Sequence, residues 1–94
     1  MKVRVIVNSP EMQVDEVFAG ENAEAVVSAM KKAVAARLPF LMRPFVNSMS
    51  PVQFSQEVVR RYNDAAKKSL PAPQSCEEFL QMGEKEGTAV ILEP

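Results

Sequence analysis

The tetrapeptide Ser50-Pro51-Val52-Gln53 fixes where a helix must begin. The serine hydroxyl can accept from the amide three residues on, and the glutamine can return the bond. Proline occupies the first helical position, where its missing amide costs nothing. Phe54, Val58, Val59, Tyr62, Ala65 and Ala66 then form an apolar stripe, with Glu57–Arg61 and Asp64–Lys68 as (i, i+4) pairs in the favourable order. Leu70-Pro71-Ala72-Pro73 ends the helix with a stiff, extended stretch. The same device recurs at Ser75-Cys76-Glu77-Glu78 and opens a helix with Cys76, Phe79 and Leu80 inward. Gly87 is its left-handed terminator. Gly83 falls inside that helix, where glycine costs about 1 kcal/mol against alanine, so it marks either close packing or an earlier helix end.

The chain opens differently. In KVRVIVN, Val3, Val5 and Val7 alternate with Lys2, Arg4 and Asn8, and only Ile6 interrupts the polar side. That is a half-buried strand. Asn8-Ser9-Pro10-Glu11 supplies turn chemistry, and a second strand from about Met12 to Ala19 follows at hairpin distance and ends at Gly20. Asn22 then caps a first helix reaching about Arg37, with Ala23, Val26, Val27, Met30, Val34 and Leu38 as its buried stripe. Leu38 precedes Pro39 and so stops it. Thr88 to Leu92 is a short closing strand, apolar on both faces.

These elements predict an α+β chain of 94 residues forming one small domain over 1–94. The topology is β-β-α-α-α-β, a three-stranded antiparallel sheet in order 2-1-3 with three helices on one face. The last strand lies at an edge with nothing to blunt it, which predicts a homodimer, by edge pairing or by packing of the outer sheet faces. No apolar run reaches the length of about 20 residues needed to span a bilayer, so no membrane partner is expected. A single cysteine excludes an internal disulfide framework and fits the cytoplasm.

Catalysis is the class the residues exclude most firmly. There is no histidine, hence no default general base and no imidazole ligand, and one cysteine cannot build a thiolate metal site. Gly20, Gly83 and Gly87 are too scattered to cradle a phosphate. No catalytic residue, cofactor or metal is therefore assigned, and a non-enzymatic role is expected. Cys76 sits in a first helical turn, which favours thiolate, but Glu77 and Glu78 oppose this and its spacing buries it. It is read as an inert core thiol.

Two features remain for binding. Charge is segregated: residues 31–68 carry eight basic side chains against Glu57 and Asp64, while the segments on either side are net acidic. Arg37, Arg43, Arg60, Arg61, Lys67 and Lys68 could together meet a phosphorylated ligand or a nucleic acid, although dipole complementation and local pairing on solvated faces is the preferred account of them. The second feature is Leu38 to Met49, LPFLMRPFVNSM, a loop in which seven of twelve residues are large and apolar. Pro39 and Pro44 prevent a regular helix through it. Either Phe40, Leu41, Phe45 and Val46 plug the open end of the core, or the loop docks a partner, with Phe40, Leu41, Met42 and Phe45 as anchors and Arg43 for orientation. The preferred function is a protein–protein interaction or regulatory module using the loop at 38–49. The alternative is binding of a phosphorylated ligand or nucleic acid through the basic residues of the first two helices.

Overall fold

A computed structural model describes residues 1–8 and 13–94. Strand β1 (Lys2–Asn8) lies between β2 (Gln13–Ala19) and β3 (Ala89–Glu93), antiparallel to both, so the sheet order is β2-β1-β3 as expected. The turn read at Asn8-Ser9-Pro10-Glu11, and Met12, fall outside the described residues. Register pairs Val3 with Phe18 and with Ile91, and Val5 with Ala89, which places one apolar set on one face. Arg4 stands opposite Val17 and Val90 on the other face, and its guanidinium reaches diagonally to Asp15 at 2.8 Å.

Helix α1 (Ala23–Arg37) starts where Asn22 accepts from the Ala25 amide at 2.9 Å. Its residues Ala23, Val26, Val27 and Met30 meet Val3, Phe54, Cys76, Leu80 and Ala89 in one core. The last turn departs from the expected stripe: Val34 is exposed and Ala35 is buried, since the buried side rotates where α1 meets the segment that follows.

That segment is not a loop. A 3₁₀ turn (Phe40–Met42) leads into a short helix, α2 (Arg43–Asn47), giving four α-helices among the described residues where three were expected. The prolines permit this because Pro39 precedes the 3₁₀ turn and Pro44 lies in the first turn of α2, where an amide has no helical partner to lose.

Helix α3 (Pro51–Ala66) forms the full capping box, with Ser50 Oγ accepting from Gln53 N at 3.2 Å and Gln53 Oε1 accepting from Ser50 N at 2.9 Å. It packs on α1 and on α4 (Cys76–Glu86). Glu57–Arg61 pairs as expected, but Asp64 meets Arg60 instead of Lys68. The helix ends because Lys67 is left-handed, with φ of 55°, and this swings Lys68 off the helical spacing and onto Glu86. In α4, Ser75 Oγ accepts from Glu78 N at 3.1 Å, the forward half of the box. Gly83 marks close packing, since a Cβ there would stand 3.0 Å from that of Ala89.

Candidate functional site

The 3₁₀ turn and α2 carry the largest apolar side chains left in water. Phe40 is 78% exposed, Leu41 81%, Met42 47% and Phe45 66%. Successive residues of a 3₁₀ turn point about 120° apart. Three exposed in a row therefore form a knob that projects from the body. Of the four residues that could plug the core, only Val46 turns inward. It packs against the core with Met49, while Phe40, Leu41 and Phe45 do not. The apolar character was legible in the sequence. Its outward direction was not, because periodicity cannot be read across two prolines in a run of twelve.

The knob is held from several sides. The Met42 amide donates to Pro39 O at 2.8 Å, and Ser48 N donates to Pro44 O at 3.0 Å. Ser48 Oγ donates to Phe45 O at 3.0 Å. Lys31 Nζ donates to Met49 O at 2.8 Å and ties the far end of the segment back to α1. The Arg43 guanidinium reaches Leu38 O at 3.2 Å and Ala36 O at 3.5 Å, so this cation caps the negative C-terminal end of α1. Residues 25–56 contain no Asp or Glu, so no carboxylate lies within or beside the segment in sequence.

The basic residues engage different partners, none of them common to the whole set. Arg37 pairs with Glu16 of β2. Arg60 and Arg61 share Glu57, at 2.5 and 3.0 Å, and together they pull its carboxyl from the usual 4.5 down to about 2, Arg60 contributing most. Lys68 bonds Glu86, which also accepts from the Tyr62 hydroxyl at 3.0 Å. Lys67 terminates α3 through its backbone. Local carboxylates or carbonyls thus engage Arg37, Arg43, Arg60, Arg61 and Lys68.

Burial raises the Cys76 thiol above its ordinary value, and Glu24 and Glu77 add to the effect, outweighing the helix end beside it. Among the described residues no three His, Cys, Asp or Glu side chains are grouped to hold a metal ion. No helix among the described residues is long and apolar enough to cross a membrane. The described residues Ile6, Val7, Asn8, Gln13, Val14 and Asp15 line a concavity of about 430 Å³ on the β1–β2 pair. No known protein family matches the chain, and neither the curated proteins nor the solved structures give a significant match.

Proposed function

We propose that this chain is a non-enzymatic protein-interaction module that docks through the knob at Phe40, Leu41, Met42 and Phe45. One observation carries the reading: four large apolar side chains stand in water on a segment fixed at both ends by its own hydrogen bonds. Exposed apolar patches of several hundred Å² mark interaction sites, and aromatic and methionine side chains are enriched in the cores of such interfaces. A pre-fixed surface also loses little conformational freedom on binding. The cytoplasm is the compartment we assign, since the one thiol is buried and unpaired.

The phosphate-binding alternative lacks a comparable observation. Its cations lie on α1, α2 and α3 and just past the end of α3, and five of the six already have partners. The test is site-specific photocrosslinking in the cell of origin, with benzoylphenylalanine in place of Phe45 or, as a control, of Val90 on the outer sheet face. A discrete protein adduct from position 45 alone is the expected result. Adducts from position 90 and none from 45 overturn the docking surface. Binding that collapses as salt rises and fails on paired Arg60→Glu and Arg61→Glu substitution supports the phosphate reading instead.

A further inference from the structure

Building on that docking surface, we infer that its occupant is an acidic site on a protein partner: an apolar cleft that receives the knob and whose bordering carboxylates face Lys31, Lys32 and Arg43. Charge is the first argument. The chain has 12 Asp and Glu side chains, yet none falls in residues 25–56, the stretch that holds the knob. The charged residues there are Lys31, Lys32, Arg37 and Arg43, and Glu16 neutralises only Arg37. Lys31 and Arg43 bond neutral carbonyls, which leaves their charge in place and part of their donor set unused. Lys32 is exposed and lies one turn before Ala36 on α1, the residue whose carbonyl Arg43 reaches. Among the described residues no carboxylate pairs with Lys31, Lys32 or Arg43. The negative end of α1 offsets about half of one charge, so an excess of about 2.5 positive charges borders the anchors.

Interfaces place apolar anchors at the centre and polar groups at the rim, where opposite charge speeds encounter and like charge costs affinity. A partner that seats this knob therefore carries carboxylates around the seat. Shape is the second argument. Phe40, Leu41 and Phe45 project from the body, so the surface that fits them is concave. A second copy meets neither requirement at this place, because it presents the same convex surface and the same cations.

The other exposed apolar residues carry no such selection. Val17, Val90 and Leu92 lie on the sheet beside the Arg4–Asp15 and Lys2–Glu93 pairs, where both signs are present and balanced. The outer edge of β2 could pair with any extended chain, since main-chain bonds choose no side chain. An anionic bilayer shares the charge chemistry of an acidic protein site. It faces a whole flank of the molecule, however, and the remainder of this chain holds every one of its acids and brings the net charge to −1. Lipid recognition by basic residues also takes clusters of about 4–8 Lys or Arg, more than border the knob.

Benzoylphenylalanine at position 45, in the cell of origin, tests this when it is combined with substitution of Lys32. Lys32→Glu should lower the yield of the protein adduct about 10-fold or more, and Lys32→Arg should preserve it. Lys32 is exposed, so circular dichroism should be unchanged in both. The cross-linked segment of the partner, mapped by mass spectrometry, should be bordered by Asp or Glu, and changing one of these to Lys should restore capture by the Lys32→Glu chain. Capture should also weaken as salt rises while paired Arg60→Glu and Arg61→Glu substitution leaves it unchanged. An adduct that survives Lys32→Glu, one lost equally with Lys32→Arg, or one formed with a second copy overturns the inference and leaves the docking surface standing. Absence of any adduct from position 45 overturns both. So does Lys32-dependent sedimentation with vesicles of phosphatidylcholine and phosphatidylserine in a ratio of about 4:1, which would make the knob a bilayer contact.

Discussion

Gly20 joins β2 to α1 at a point with no room for a side chain, and Gly20→Ala tests that junction. A Cβ there would lie 2.7 Å from the Ala25 Cβ and 2.9 Å from the Val26 backbone nitrogen, where ordinary contact begins near 3.4 Å. Neither side can yield cheaply. The start of α1 is fixed by Ala23 and Val26, which are 1% and 0% exposed. Gly20 itself is held to the chain start, its amide donating to Met1 O at 3.0 Å and its carbonyl accepting from the Met1 ammonium at 2.8 Å. Overpacking of this kind costs about 1–3 kcal/mol, and the upper part of that range applies because backbone is among the atoms struck. Alanine returns about 0.4–1 kcal/mol by restricting the unfolded chain. The net expectation is a loss of about 2 kcal/mol, or roughly 8–16 °C in melting temperature for a domain of this size. Thermal and urea unfolding followed by circular dichroism give the value. Adding Ala25→Gly should recover only part of it, because the backbone contact remains. A neutral or stabilised Gly20→Ala protein refutes the argument that close approach, and not turn formation, requires this glycine.

Lys67→Gly should stabilise the chain by about 0.5–1 kcal/mol, since a left-handed residue with φ of 55° is strained when it carries a Cβ. An unchanged urea midpoint counts against this. Native Cys76 should resist iodoacetamide until the protein unfolds, because burial first and then Glu24 and Glu77 hold the thiol protonated; rapid labelling of the folded chain would show otherwise. Glu57 titrates at about 2 in the folded chain, below its ordinary 4.5. Its contribution is therefore complete above about pH 4.5 and lost as pH falls towards 2. The pairs are solvent-exposed, so screening limits the effect to about 1 kcal/mol. Glu57→Gln should remove this part of the acid dependence, and an unaltered profile between pH 4.5 and 2 would refute the assignment.

The parts of the fold legible in sequence are those governed by neighbours along the chain. Alternation at Val3, Val5 and Val7 defined β1, and the side chains of Asn22, Ser50 and Ser75 marked three helix starts. The strand order followed from the hairpin and the connections. What escaped depends on contacts distant in sequence or on one backbone angle. Gly83 became intelligible only once β3 brought Ala89 against it. The Asp64–Lys68 pair failed because a single left-handed residue, Lys67, ended the helical spacing. Glu84 reads in sequence as one more acid on α4, and only the placement of β3 turns it into a partner for the Ile91 amide.

The same distinction explains why the knob is exposed at all. An apolar segment that could fold back would do so, since burying one large apolar side chain is worth about 1.5–3 kcal/mol. This one is prevented by its ends. Arg43 fixes the turn to the last carbonyls of α1, Lys31 fixes Met49, and Val46 and Met49 already fill the adjoining part of the core. Pro39 and Pro44 restrict the backbone between those points. The side chains of Phe40, Leu41 and Phe45 are left outside because the inward positions of the segment are taken, not because the core lacks apolar material. Exposure is thus built into the same hydrogen bonds that shape the segment. Releasing one of them gives the knob freedom to collapse. Arg43→Ala should therefore weaken any association carried by Phe45 although Arg43 itself need not touch the partner. It should also lower the exposure of Phe40 and Leu41, read as reduced binding of an apolar dye. Association unchanged by Arg43→Ala would mean that the prolines and the packing of Val46 hold the knob without it.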